Sequence, residues 1–311
     1  MHLSQKDLIG LHNMPAEEIV HIIDTAATMK AYLQQSAKKM PHMQGKSVVA
    51  LFYENSTRTR LSFELAAKFL GATFSNLGVS SSSVSKGETL LDTGYTIEAM
   101  ETDVIIIRHP YAGAPKLLGD HFSGSVINAG DGMHEHPTQA LLDMFTMRER
   151  FGDLKGLNVS IIGDIWHSRV ARSNLWGLKK LGANVTLCGP QTLMPFGIET
   201  MGARVTSSLE EALSGADVVM GLRIQKERLE GAFLSTLREY HNFFGVNEEA
   251  LDKWCGKDVL IMHPGPVNRG VELSSAVMDA ENSVINEQVT NGVAVRMALL
   301  YLLTRRKNED A

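Results

Sequence analysis

Cysteine is scarce: Cys188 and Cys255 are the only 2 among 311 residues. They lie far apart and lack the paired spacing of a zinc site or a disulfide framework, so both read as buried or incidental thiols. Positive charge is not in excess either, with 30 Lys and Arg against 35 Asp and Glu and a net charge of -5. That balance excludes a general nucleic-acid or anionic-membrane surface, and any anionic ligand must find a local positive pocket. No stretch approaches the roughly 18 apolar residues of a membrane helix. The opening MHLSQKDLIG has no basic region followed by an apolar run, so the expected location is the cytoplasm. Internal repeats and low-complexity tracts are missing too; the nearest, Ser80 to Ser83, reads as a loop.

What is present is an ordinary globular balance, 44% hydrophobic and 21% charged, in a chain long enough for two lobes of roughly 150 residues. Apolar, β-branched runs bounded by turn residues recur at Val48 to Tyr53, Val104 to Ile107, Val126 to Ile127, Val159 to Ile162, Val185 to Leu187, Val218 to Met220 and Val259 to Met262. They predict buried parallel strands. Helical patterns fall between them at Ser62 to Leu70, Thr138 to Phe151, Arg169 to Leu181 and Leu209 to Leu213, with Gly71, Gly152, Gly182 and Gly215 as stops. The alternation predicts an α/β protein of two doubly wound lobes, each with a mostly parallel sheet flanked by helices.

The lobe boundary is expected within Thr138 to Phe151, because Asp153-Leu154-Lys155-Gly156-Leu157 and a fresh strand follow it. One lobe then covers residues 1–145 and the other 146–285. A last helix, Val289 to Arg305, is apolar on one face and closes with Arg305-Arg306-Lys307, as a helix C-terminus prefers. Lying within the segment 286–311, it is expected to pack back on the first lobe.

Chemistry first shows in Phe52-Tyr53-Glu54-Asn55-Ser56-Thr57-Arg58-Thr59-Arg60, where a strand ends and hydroxyls and guanidiniums crowd before a helix. Unpaired N–H groups at a helix start, the helix dipole, and forked Arg side chains suit a phosphate dianion. An ordinary Ser N-cap with solvated arginines fits the same residues. Arg108 ends a strand, where ligands collect in open sheets, and could equally be a solvated strand end. His136 stands beside Pro137 at a favoured first-turn position, where a histidine is as readily structural; His134 and His263 are read that way.

The residues Ser56-Thr57-Arg58-Thr59-Arg60 resemble the phosphate-binding signature shared by the aspartate and ornithine carbamoyltransferases. Within that family the chain is similar to the aspartate branch. Its His136-Pro137-Thr138-Gln139 has Thr where the ornithine branch typically has Cys, and Met262-His263-Pro264-Gly265-Pro266-Val267-Asn268-Arg269-Gly270 stands in place of a Cys-Leu-Pro motif. Gly221-Leu222-Arg223-Ile224-Gln225 stands where the ornithine branch has a Ser-Met-Gly loop. The resemblance runs from about Asp7 to Leu303 in order and spacing.

The resemblance implies condensation of carbamoyl phosphate with L-aspartate, the committed step of de novo pyrimidine (UMP) synthesis. It implies carbamoyl phosphate at Ser56, Thr57, Arg58, Thr59, Arg108, His136, Gln139, Gly265 and Pro266, and aspartate at Lys86, Arg169, Arg223 and Gln225. Arg58, Thr59, Lys86, Arg108 and His136 would act in catalysis. Both substrates are anionic, and forked arginines grip carboxylates in a way lysine cannot copy. His136, Thr59 and Arg108 would meet the carbonyl oxygen as charge develops on it, and Gln139 with the carbonyls near Gly265 and Pro266 would recognise the NH2. Lys86 would reach a neighbouring subunit's site, implying a homotrimer with shared sites, and Ser83 is the favoured assisting serine of that loop. No metal or organic cofactor is implied. Regulatory chains or a dihydroorotase are possible partners of such a subunit. Trp166 stands in Gly163-Asp164-Ile165-Trp166-His167-Ser168-Arg169-Val170, where relatives are usually polar or aliphatic; packing at the lobe surface is the expectation.

Three rivals remain. A carbamoyltransferase acting on ornithine or a related amine would need an anionic partner for its substrate, and the Ser-Met-Gly loop is missing. A dinucleotide-binding protein is suggested by Gly163 after a strand, but no G-x-G-x-x-G follows. An inactive relative that only binds ligands conflicts with intact Ser56 to Arg60, His136, Arg169 and Arg223.

Overall fold

Ser47–Phe52 forms β1, with Val48, Val49, Ala50 and Leu51 buried in succession, the signature of a strand covered on both faces. A computed structural model describes residues 2–35, 40–78, 87–224, 236–256 and 258–305. Thr73–Gly78 (β2), Val104–His109 (β3) and Ser125–Asp131 (β4) join β1 in a parallel sheet of order β2-β1-β3-β4. The connections from β1 to β2 and from β3 to β4 therefore leave in opposite directions. That makes the gap between the C-terminal ends of β1 and β3 a topological switch point, the place where open α/β sheets take ligands.

The second sheet repeats the logic. Asn158–Ile162 (β5), Asn184–Cys188 (β6), Arg204–Thr206 (β7), Val218–Gly221 (β8) and Leu260–Met262 (β9) run parallel in the order β7-β6-β5-β8-β9. Its switch point lies between β5 and β8. Helices fill the crossovers: Thr57–Phe69 (α2) between β1 and β2, Arg169–Lys180 (α6) between β5 and β6, Leu209–Leu213 (α7) between β7 and β8. The core of the first sheet gathers Leu51, Ile105, Ile107 and Val126; that of the second gathers Ile162, Leu213, Val219 and Ile261.

The chain divides into two compact units, Met1–Phe145 with Val289–Ala311, and Thr146–Gln288. Two helices, Pro137–Phe151 (α5) and Ile285–Arg305 (α11), are continuous across the points of division. In the first unit, Arg296 of α11 donates to Thr138 Oγ1 of α5 at 3.5 Å and lies 5.1 Å over the Phe63 ring of α2.

Each of the apolar runs expected to be a strand is one. Among the described residues, the two strands that periodicity misses are β2 and β7, whose residues are exposed or half-exposed, so that neither carries an apolar run. Helix α2 starts at Thr57, ahead of the expected Ser62, because exposed Thr57, Arg58 and Arg60 hide the apolar stripe of its first turn. Burial pushes the Cys188 thiol up to about 12 and the Cys255 thiol up to about 11, so both are inert at neutral pH. Among the described residues no helix is long and apolar enough to cross a membrane.

Candidate active site

At the first switch point, the chain leaves β1 through Tyr53-Glu54-Asn55 and enters α2 at Ser56. Ser56 is extended (φ -157°, ψ 97°) and makes no side-chain cap bond to its own helix. Its hydroxyl instead accepts from Arg108 Nη1 at 3.4 Å. Arg108 lies beside Phe52 in the ladder; its Nε donates to Glu54 at 3.2 Å and its Nη1 reaches the Ala129 carbonyl at 3.5 Å. Thr59 is buried, whereas Thr57 and Arg58 are exposed at the helix start. The helix therefore offers hydroxyls, guanidiniums and the positive end of its dipole on one side of the strand ends.

The end of β4 brings in the second group. Asp131, fully buried, accepts from Gly113 N–H at 2.8 Å, from Asn128 Nδ2 at 2.8 Å and from Glu135 N–H at 3.1 Å, and lies 3.0 Å from His134 Nδ1. Glu135 is buried as well and accepts the N–H groups of Leu11 at 2.9 Å and His12 at 3.3 Å. A Cβ on Gly10 would meet the Glu135 carboxylate, so glycine there leaves room for the N-terminal segment beside that side chain. His136 follows directly. It is buried, its Nδ1 lies 3.5 Å from Thr138 Oγ1, and its carbonyl accepts Gln139 N–H at 3.0 Å. Gln139 is buried one turn on, on the same helix face.

In the other unit, β5 is followed by Gly163 with φ +145°, where a Cβ would meet Leu222 Cβ at 2.8 Å. Glycine allows the β5 end to press against Leu222, the residue before Arg223. Asp164 then accepts His167 N–H at 3.1 Å and lies 2.9 Å from His167 Nδ1. Ser168 caps α6 through Ala171 N–H at 3.1 Å, which sets buried Arg169 as the first helical residue. Arg223 follows β8, and the next residue, Ile224, donates its N–H to buried Glu272 at 2.8 Å. Glu272 also accepts Asn268 N–H at 2.7 Å. Arg169 thus opens the helix that follows β5, and Arg223 follows β8, the strand adjacent to β5.

The residues expected to act on carbamoyl phosphate fall in both units. Ser56, Thr57, Arg58, Thr59, Arg108, His136 and Gln139 belong to the first; Gly265 and Pro266, after β9, belong to the second. There Gly265 N–H donates to His263 Nδ1 at 2.8 Å. Ser83, Lys86 and Gln225 lie outside the described residues. Trp166 is 38% exposed, and its carbonyl accepts Arg172 Nη1 at 3.0 Å. Sequence reasoning passed over the supporting carboxylates Glu54, Asp131, Glu135, Asp164 and Glu272, and Asp143, which accepts Gln139 Nε2 at 2.9 Å. Only Asp131, Glu135 and Asp164 had a local signal, each standing within a few residues of a histidine. His109, beside Arg108, was also passed over; burial lowers its pKa, and its Nδ1 accepts Tyr111 N–H at 3.1 Å.

The sequence model described as aspartate/ornithine carbamoyltransferase, carbamoyl-P binding domain, matches residues 6–149, and the one described as aspartate/ornithine carbamoyltransferase, Asp/Orn binding domain, matches residues 155–303. The chain belongs to this family. Among carbamoyltransferases, the aspartate carbamoyltransferase catalytic subunit of Acetivibrio thermocellus is 63% identical over 100% of this chain and 99% of its own length. The crystal structure of Trypanosoma cruzi aspartate transcarbamoylase with carbamoyl aspartate and phosphate superposes with a TM-score of 0.86 at 30% identity, covering 96% of each chain. The same enzyme has also been solved with N-(phosphonacetyl)-L-aspartic acid. Ornithine carbamoyltransferase from Pyrococcus furiosus follows at a TM-score of 0.84 and 29% identity, covering 95% of this chain and 96% of that one. The carbamoyltransferase fold is common to both branches, and sequence identity favours the aspartate one.

Proposed function

We propose that the chain is the catalytic polypeptide of an aspartate carbamoyltransferase, converting carbamoyl phosphate and L-aspartate to N-carbamoyl-L-aspartate and phosphate. The observation that carries this reading is the pair at the second sheet's switch point, Arg169 opening the helix that follows β5 and Arg223 following β8. A dicarboxylate amine needs forked cations there, whereas a diamine needs an anion. Relatives at 56–63% identity that are named aspartate carbamoyltransferase catalytic subunit support the same choice.

In the proposed reaction the α2 start, with Ser56, Thr57 and Arg58, holds the phosphate. Arg108, Thr59 and His136 donate to the carbamoyl oxygen, and Gln139 with the loop at Gly265 and Pro266 reads the NH2. Arg169, Arg223 and Gln225 hold the aspartate carboxylates. The deprotonated α-amino group attacks the carbamoyl carbon, a tetrahedral oxyanion forms, and the C–O bond to phosphate breaks. The departing phosphate accepts the amine proton. No covalent enzyme intermediate is needed: the residues named contribute orientation and oxyanion stabilisation.

The proposed assembly is a homotrimer in which Lys86 serves a neighbouring site. The words "catalytic subunit" in the relatives' names support an assembly of several chains, with room for regulatory chains or a dihydroorotase. A cytoplasmic location and a place at the committed step of pyrimidine (UMP) biosynthesis complete the reading. Calorimetric titration with N-(phosphonacetyl)-L-aspartate tests it, because that compound joins both anionic ends. Tight binding that is lost in Arg223→Lys is expected, and absence of binding to the intact protein would overturn the reading.

A further inference from the structure

The N-terminal segment is bound along the edge of the first sheet. Lys6 Nζ donates to the carbonyls of Gly119 and Phe122 at 2.7 and 2.9 Å, and Asp7 accepts Val126 N–H at 2.8 Å. Leu8 pairs with the edge strand β4 in both directions, donating to the Val126 carbonyl at 2.9 Å and accepting Asn128 N–H at 2.8 Å. Asn128 Nδ2 then donates to the Ile9 carbonyl at 2.8 Å.

This path ends on the side chain of Glu135, which is buried. Oε2 accepts Leu11 N–H at 2.9 Å, and Oε1 accepts His12 N–H at 3.3 Å. A glutamine cannot reproduce that arrangement, because one of its two terminal atoms is a donor. The Glu135 backbone is tied as well: its N–H donates to Asp131 Oδ1 at 3.1 Å, and its carbonyl accepts Asp131 N–H at 3.2 Å. Held at backbone and side chain alike, Glu135 fixes the peptide that leads into His136.

We propose that Glu135 is a positioning residue: its grip on Leu11 and His12 makes the N-terminal segment the backing against which His136 is set for the carbamoyl oxygen. This rests on the functional reading above and deepens it, since it adds residues 6–12 to the apparatus that serves His136. A donor stabilises developing charge only when it is held where that charge appears. A tie that served stability alone would leave kcat as it is. A tie that acts through His136 lowers kcat, and its effect vanishes once the imidazole is gone.

Two variants reach the tie from opposite sides. Glu135→Gln keeps the shape but sets an NH2 group against one of the two N–H donors. Gly10→Ala adds a Cβ that would meet the Glu135 carboxylate, pressing it off its partners with one methyl group in the N-terminal segment. Each is made alone and on a His136→Ala background, with kcat and the aspartate KM measured, chemical denaturation to verify folding, and amide exchange of residues 6–12 followed by mass spectrometry. For either variant that folds, exchange in that segment is expected to quicken and kcat to fall about tenfold, with the aspartate KM within about twofold. Without His136 the same change should alter kcat by less than about twofold. Unchanged exchange, unchanged kcat, or a fall that persists in full on the His136→Ala background would overturn the proposal. An intact protein that makes no carbamoyl-aspartate would overturn the functional reading instead, and exchange reports on the tie without any activity, so the two failures are distinguishable.

Discussion

The carboxylate of Glu272 accepts the backbone N–H of Ile224 at 2.8 Å, fixing the residue next to Arg223. The same carboxylate accepts Asn268 N–H at 2.7 Å, so one buried group ties the segment after β8 to the loop after β9. If Arg223 holds aspartate, its aim depends on this tie. Glu272→Ala is expected to raise KM for aspartate about tenfold and to leave KM for carbamoyl phosphate within about twofold, with Glu272→Gln recovering part of the loss. Steady-state kinetics with each substrate varied in turn checks this; equal effects on both constants would contradict it.

Lysine should not replace either of the arginines proposed to hold aspartate, Arg169 and Arg223. A guanidinium donates two parallel N–H bonds to a carboxylate, and an ammonium is a point charge on a flexible stem. Arg169→Lys and Arg223→Lys are each expected to lower kcat/KM for aspartate by about 100-fold, the scale of a lost buried charge contact. A loss below about tenfold in either variant removes that residue from the site.

Asp131 makes a prediction about pH. Burial alone would raise its pKa, but hydrogen bonds from His134, Gly113 N–H and Asn128 outweigh it and hold the group below its ordinary 3.8. A lowered carboxyl pKa contributes stability that is present above the unfolded value and is lost as the pH falls through the folded one. The gap in urea midpoint between intact protein and Asp131→Asn should therefore be full at neutral pH and close as the pH falls below 3.8. A gap that does not change with pH would contradict the ionic account. Glu272, raised above 4.5 by burial, has the opposite sign: its contribution is full below that value and fades as the pH rises through the folded one.

If Lys86 serves a neighbouring chain's site, as proposed, mixtures of variants carry a prediction. Chains carrying Lys86→Ala, refolded with chains carrying His136→Ala, should regain part of the intact activity, because some sites then draw both native residues from different chains. Activity of verified mixed oligomers, set against each variant alone, reads this out. No recovery would count against the shared site.

How far the sequence speaks follows from distance along the chain. Val48 to Leu51 and Ile105 to Ile107 betray their strands because burial on both faces leaves an unbroken apolar run. Exposed β2 has no such run. Ser56 to Arg60 and His136 to Gln139 are legible because the chemistry lies within one turn of helix. The groups that aim them are not. Glu135 holds Leu11 across 124 residues, Glu272 holds Ile224 across 48, and Arg296 reaches Thr138 across 158. No local pattern encodes such pairs; only the folded chain joins them.

The most direct measurement is product formation by the purified protein given carbamoyl phosphate with either L-aspartate or L-ornithine, carbamoyl amino acid and phosphate being quantified together. Stoichiometric carbamoyl-aspartate and phosphate are expected with aspartate, and no product with ornithine. Product with ornithine alone would contradict it, leaving the fold and the phosphate-binding helix start in place but overturning the roles given to Arg169, Arg223 and Gln225.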